Sequence, residues 1–368
     1  MFQYFLNKRY FMSFLTLLCA ISLLLISRSS FAEPYMALQT GNKCMSCHTN
    51  ITGGGKRTAY GTAFAQLTLP ARKAPEQYWD GRIIDQLYIG GQLRTNASYA
   101  SVPNQSNEFE FDLQAARLFF ELPLLNNRFT IYLDQEFAPG SESREAFALL
   151  FFRNRSIYIK AGKFFLPFGF RLEDDTEFIR QITGINFDNS DEGIELGFDS
   201  GNNSFRLAVT NGSGGGAETD TGKQYSFLYS YVRQVWRIGA SANFNDSGSD
   251  ERTMVGGFAG LKTGPITWMG EIDYINDEAL GATGRDQFVG FAEANWQIRQ
   301  GHNFKLTYGT FEPDDDVDED EQNRYSIVYE YTPMGFAQIR AGARIRDGIP
   351  QNNLQNTDFY FVQLNAFF

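Results

Sequence analysis

The chain has 368 residues with a formal net charge of -11, a mean hydropathy of -0.32, 35 glycines, 35 phenylalanines and 18 tyrosines. The acidic balance argues against a nucleic-acid partner. Rich in aromatics and glycine yet polar on average, the chain has no later apolar run long enough to cross a bilayer as a helix, which sets it apart from both soluble enzymes and helical membrane proteins.

The chain opens with Lys8 and Arg9 ahead of an apolar run over residues 11–26, and Ser30-Phe31-Ala32 offers small residues for cleavage. Residues 1–32 therefore read as a secretory signal cut after Ala32. Cys19 lies within the apolar run and leaves with it, so the mature chain keeps two cysteines, Cys44 and Cys47. An oxidising periplasm suits that count.

Residues 33–80 form the next unit. Ala37-Leu38-Gln39-Thr40-Gly41 reads as a short helix ended by glycine, and Thr52-Gly53-Gly54-Gly55-Lys56-Arg57 as a flexible loop. Residues 60–67 read as a second small helix. Between them lies Cys44-Met45-Ser46-Cys47-His48, the C-x-x-C-H pattern that attaches one haem c covalently. Two cysteines three positions apart each form a thioether to the porphyrin, and His48 then lies beneath the ring as proximal iron ligand. A structural disulfide, a zinc half-site and a thioredoxin-like pair use the same cysteines. Zinc needs further Cys or His ligands, and the mature chain offers only His302. A thioredoxin pair belongs beside a βαβ pattern, which is absent. For the sixth iron ligand Met36 is the candidate, with an open or water-bound site as the alternative; Met45, between the two anchors, is badly placed, and His302, which could reach the segment from below, reads as a turn residue starting a strand over residues 303–310. A segment this small buries little by itself, so it needs the haem as its core or a larger body to rest on.

From residue 81 to Phe368 apolar and polar residues alternate with period two. Over residues 336–346, Ala337, Ile339, Ala341, Ala343 and Ile345 oppose Gln338, Arg340, Arg344 and Arg346. Over residues 324–332, Tyr325, Ile327, Tyr329 and Tyr331 oppose Arg324, Ser326, Glu330 and Thr332. In the last strand Tyr360, Val362, Leu364, Ala366 and Phe368 oppose Gln363 and Asn365. Tight connections such as Asn126-Asn127, Arg153-Asn154-Arg155, Gly201-Asn202-Asn203 and Gln300-Gly301 alternate strictly with longer polar ones at residues 211–221, 276–284 and 347–356. The fold class expected is all-β, an antiparallel transmembrane β-barrel of about 16 strands carrying a short α-helical N-terminal haem segment. Arg340, Arg344 and Arg346 then form a basic ladder lining the lumen. The acidic run of residues 314–321 lies on an external loop, either as a solvated surface or as a collector of metal cations.

The stretch Gly162-Lys163-Phe164-Phe165-Leu166-Pro167-Phe168-Gly169, the paired strands and the terminal Phe368 resemble bacterial phosphate-selective porins of the O and P type. Joined to a monohaem C-x-x-C-H segment, the whole resembles the fused cytochrome–porins of the outer membrane, best known from iron-oxidising bacteria. The resemblance implies a haem segment that plugs or lines the barrel and passes electrons across the outer membrane. Its implied partners are a periplasmic c-type cytochrome and an extracellular redox donor or acceptor, ferrous iron among them, which would make the chain a ferrous iron–cytochrome c oxidoreductase. Iron-oxidising members usually follow the haem motif with a Pro-x-Leu-Asn-type run, where this chain has Thr49-Asn50-Ile51-Thr52-Gly53-Gly54-Gly55. The competing expectations are a solute or anion porin whose haem segment is a plug, gate or redox sensor, and a barrel that only anchors a periplasm-facing cytochrome.

Overall fold

The computed structural model describes residues 33–72, 79–174, 176–185, 189–246, 251–280 and 284–368. The signal expected at residues 1–32, with Cys19, lies outside the described residues.

The period-two segments form sixteen strands in chain order. The first eight are β1 (Leu87–Ser101), β2 (Glu108–Leu124), β3 (Phe129–Ala138), β4 (Glu142–Phe152), β5 (Ile157–Phe165), β6 (Ser190–Ser200), β7 (Asn203–Thr210) and β8 (Gln224–Val232). The second eight are β9 (Trp236–Asp246), β10 (Glu251–Thr263), β11 (Ile266–Asp277), β12 (Arg285–Arg299), β13 (His302–Glu312), β14 (Gln322–Met334), β15 (Ala337–Asp347) and β16 (Asp358–Phe367). Each pairs antiparallel with the next, and β16 returns to β1 with Val362 opposite Ala97, so the sheet closes into a barrel with no free edge. A three-residue strand, Arg82–Ile84, is added at the start of β1. Phe368 exchanges backbone hydrogen bonds with Gly91 at 3.2 and 3.1 Å, fixing the C-terminus to that seam.

The wall is inverted relative to a soluble protein. Outward-facing Leu306, Tyr325, Ile327, Val362 and Leu364 are exposed, while Lys305, Arg324, Glu330, Gln363 and Asn365 on the other face of the same strands are buried. Exposed apolar positions on every side would be costly in water and are what a lipid-facing surface requires.

The tight turns fall where the sequence puts them, at one end of the barrel. The strict alternation does not hold: β3 and β4 are joined by residues 139–141 alone, and β9 and β10 by residues 247–250. The largest departure is the connection between β5 and β6, which sequence reading did not single out as a loop. Its described residues 166–174 and 176–185 fold inward, and the one-turn helix Phe178–Gln181 packs on β11, β12 and β13. Leu166, Phe168, Phe170, Leu172, Phe178 and Ile179 are buried by this crossing. Their apolar spacing is why the loop turns in, since outside the lumen it would expose six large side chains. From the tight-turn end residues 33–72 enter the same lumen as a plug with helices α1 (Pro34–Thr40), α2 (Cys44–Cys47) and α3 (Ala59–Ala63), the last continued by a π-turn over Phe64–Thr68.

The basic ladder is inward as expected, but it is a clamp rather than an open lining. Arg344 pairs with Asp174 of the inner loop at 2.7 Å, and Arg340 with Glu33 of the plug at 3.3 Å. Arg324 holds Asp174 at 2.9 Å and also Glu177. His302 starts β13, lies over the Tyr331 ring and shares a 2.6 Å hydrogen bond with the Tyr329 hydroxyl. The acidic run of residues 314–321 connects β13 and β14 at the end opposite the tight turns.

Candidate haem-binding site

Local backbone chemistry shapes the plug. Helix α1 stops at Gly41, whose left-handed φ of 69° lets the chain turn while its backbone caps Ala37 and Leu38. A side chain there would also meet Gln234 Cα at 2.8 Å, in the turn between β8 and β9, so glycine is needed twice over. Helix α2 is a single turn, with the His48 amide donating to the Cys44 carbonyl at 3.0 Å. That turn presents Cys44, Cys47 and His48 together.

The stretch expected to be a flexible loop is an ordered hairpin. His48 and Arg57 form an antiparallel bridge, and the Thr49 amide donates to the Lys56 carbonyl at 3.0 Å. Gly53, Gly54 and Gly55 close it with successive φ of 100°, 76° and 62°, a run only glycine adopts without strain. Thr58 then caps α3 by accepting from the Gly61 amide at 3.2 Å and donates to the Ser46 carbonyl at 2.7 Å. At Gly61 a Cβ would lie 2.1 Å from the Cys47 carbonyl oxygen, so α3 rests directly on the motif.

Long-range polar bonds seat this unit in the barrel. Asn50 donates to both oxygens of Glu145 at 2.7 and 2.8 Å, and the Lys56 amide donates to the Tyr132 hydroxyl at 3.0 Å. Thr49 donates to Glu121 at 2.9 Å, Lys43 pairs with Asp199 at 2.9 Å, and Glu33 with Lys305 at 2.8 Å.

A cavity lies between plug, inner loop and wall. It is lined by Cys44, Cys47, His48 and Met36, which are brought together, and by Phe64, Phe168, Phe170 and Phe258. His302 and Met45 do not line it. Cys44 and Cys47 carry free thiols, and burial pushes the Cys47 thiol up to about 11, with Cys44 adding to the rise. His48 is buried, and burial, then Arg57 and Arg171, press its imidazole down to about 3 against the opposing backbone of Gly54 and Gly55. It is therefore neutral at physiological pH, the form that ligates iron, and its Nδ1 has no hydrogen-bond partner.

Three arginines that no sequence pattern singles out as site residues face the same space. Arg206 and Arg237 come from the wall, are buried, and each leaves Nε without an acceptor. Arg57 comes from the plug, and burial lowers its guanidinium to about 9. Arg57 was foreshadowed by its place after the glycine run; nothing in the pattern of β7 or β9 marked the other two. Buried guanidinium groups short of acceptors call for an anion. Two free thiols, a neutral histidine with an orphaned nitrogen, an apolar wall and nearby arginines fit a haem with its two carboxylates. A zinc site fits less well, since no group of three or more His, Cys, Asp or Glu gathers among the described residues.

No family model and no curated protein matches the chain. Solved structures do. An anion-selective porin from Comamonas acidovorans superposes with a TM-score of 0.62 at 10% identity, over 77% of this chain and 99% of that one. OmpT of Vibrio cholerae gives 0.57 at 9% identity, over 77% and 97%. A mutant of Rh. blastica porin gives 0.53 at 13% identity, over 77% and 100%. At such identities the likeness is one of architecture: the chain has the closed sixteen-stranded antiparallel barrel of porins.

Proposed function

We propose that this chain is an outer-membrane electron conduit that carries one haem c in a plug inside the barrel. The observation that carries the reading is the gathering of Cys44, Cys47, His48 and Met36 on one cavity within a lumen that plug and inner loop both enter. Cys44 and Cys47 would hold the haem by thioethers, His48 would be the proximal ligand and Met36 the candidate sixth ligand. Arg57, Arg206 and Arg237 would receive its carboxylates, and Phe168, Phe170 and Phe258 would keep water from its face. Bound haem supplies one-electron chemistry whose potential depends on axial ligand and solvent access. In this reading an external donor or acceptor, with ferrous iron as one candidate, exchanges electrons with a periplasmic c-type cytochrome.

A second reading is favoured by the fold neighbours, one of which is an anion-selective porin: solutes cross the barrel and the plug is a gate or redox sensor. One liposome experiment separates the two. With a redox dye sealed inside and an impermeant reductant outside, the conduit reduces the dye, the reduction disappears in Cys44→Ala/Cys47→Ala, and phosphate and sugar uptake stay low. Rapid solute swelling without haem-dependent dye reduction establishes the porin instead. Haem-stained denaturing gels check attachment separately, and a stained band that persists in the double variant overturns the covalent site.

A further inference from the structure

The two ends of the barrel carry opposite charge. At the long-connection end Asp220, Glu278, Asp315, Asp316, Asp318 and Glu319 are exposed, against one exposed base among the described residues, Arg285. At the tight-turn end, apart from the exposed Arg82–Asp85 pair, the exposed charges among the described residues are arginines: Arg128 in the β2–β3 turn, Arg153 and Arg155 in β4–β5, Arg233 in β8–β9, Arg299 in β12–β13, and Arg72 on the plug. Backbone bonds from Ala71 to Thr332 at 2.9 Å and from Arg72 to Pro333 at 3.2 Å seat Arg72 beside the β14–β15 turn. The cations thus encircle the mouth, in a chain whose overall charge is -11.

Among the described residues none of these six arginines forms an ion pair, whereas the acids of this mouth are engaged. Asp199 pairs with Lys43 at 2.9 Å, Asp85 pairs with Arg82, and Asp80 accepts from the Arg82 amide at 2.9 Å. The ring also surrounds the edge of the haem cavity, whose lining residue Val232 immediately precedes Arg233 and whose Asn42 side chain bonds the hydroxyl of exposed Tyr60 at 3.0 Å.

We infer that this mouth is a docking surface for a soluble redox protein that presents an acidic face around its own cofactor; the redox part of the inference rests on the conduit reading. Unpaired rim charges chiefly steer and orient encounter, which an electron-transfer complex needs more than tight binding. The headgroups of anionic lipids are the competing occupant. Arg155 argues against them: its guanidinium lies 3.8 Å from the ring centroid of inward-facing Phe151 and bonds the Asn127 carbonyl at 3.2 Å, which tilts it over the lumen. Arg72 likewise belongs to the plug and not to the lipid perimeter. Arg233, stacked at 5.5 Å on outward-facing Tyr231, is a perimeter residue and provides the contrast.

The test uses the full-length protein in phosphatidylcholine nanodiscs and two forms of one probe, lysine-rich cytochrome c and the same protein with its lysines succinylated. The succinylated form should bind, and binding should weaken roughly ten-fold or more as ionic strength rises from about 20 to about 150 mM. Arg72→Glu/Arg155→Glu should weaken it by a further roughly ten-fold, with Arg72→Gln/Arg155→Gln in between and Arg233→Glu weaker than either. Heat-modifiable gel migration confirms that each variant is a folded barrel. Equal or better binding of the unmodified probe, or no loss in the double variants, overturns the inference. So does a loss confined to co-sedimentation with phosphatidylglycerol vesicles, which would make the ring a headgroup site. Cys44→Ala/Cys47→Ala separates this inference from the conduit: it should keep probe binding and lose electron exchange. A chain that binds the probe but never exchanges electrons with it sinks the conduit reading and leaves the docking surface standing.

Discussion

The barrel wall and the material inside it are held together by different physics. The wall obtains its stability from a repeated ladder of backbone hydrogen bonds and needs from its side chains little more than the right polarity on each face. Any of Leu306, Ile327 or Val362 can be exchanged for another apolar residue without changing the register. Inside, particular pairs do the holding: Asn50 with Glu145, Glu33 with Lys305, and Asp174 with Arg324 and Arg344. These sit beside an apolar cluster in which Met36 and Leu38 of the plug join Phe170 of the inner loop and Phe258 of the wall. The outside tolerates substitution by class and the inside does not, because a broken buried pair leaves a charge with nowhere to go.

The largest test of this contrast is to remove residues 33–72. If the wall is self-sufficient, the shortened chain still folds into a heat-modifiable barrel and conducts ions in planar bilayers roughly ten-fold or more better than the whole chain, as a sixteen-stranded lumen relieved of its plug should. Failure to fold would mean that wall and plug are one cooperative unit. Of intermediate size is Arg324→Gln, which removes the fully buried partner of Glu177 and leaves Asp174 only Arg344. The loss is about 3–5 kcal/mol of loop docking, read as new protease cleavage within residues 166–185 while the wall stays resistant. Unchanged protection would place the holding power in Phe178 and Ile179 instead.

The smallest effect concerns pH. Burial raises the Glu173 carboxyl from 4.5 to about 7, against the pull of Arg94 and Arg340. A folded-state value above the unfolded one means that the docked loop takes up a proton. This contribution is complete below about pH 4.5 and is lost as pH rises through about 7. Hydrogen exchange of the inner loop, corrected for intrinsic rates, should therefore be a few-fold faster at pH 8 than at pH 6, and Glu173→Gln should flatten that slope. A slope that survives in the variant assigns the titration to another group.

Much of the wall was legible because a strand has a period of exactly two residues and a lipid-facing sheet must show it. Residues 324–332 and 336–346 could be assigned to faces from their letters alone, and β14 and β15 keep those faces. Gly41 as a helix stop and residues 60–67 as a helix were equally local, and both hold, the second with a π-turn where a plain helix was expected. The hairpin over Gly53-Gly54-Gly55 was misread as flexible because consecutive glycines look the same whether they are free or folded into positive φ. The inner loop went unseen for a related reason: Phe164-Phe165-Leu166-Pro167-Phe168 looks like the end of a wall strand, and nothing in it says that the chain then turns inward.

The sequence by itself determined the strand period, the closed-barrel class and the three motif residues Cys44, Cys47 and His48, since each depends on spacings of a few residues along one chain. The tertiary structure decided that the plug occupies the lumen, that Met36 and not His302 lines the same cavity as the motif, and that Arg206 and Arg237 from separate strands meet Arg57 there. It also decided that the expected basic ladder is spent on ion pairs with the plug and the inner loop. These are contacts between residues tens to hundreds of positions apart. They follow from how closure of the barrel brings its inward faces around a common space, which no short-range pattern encodes.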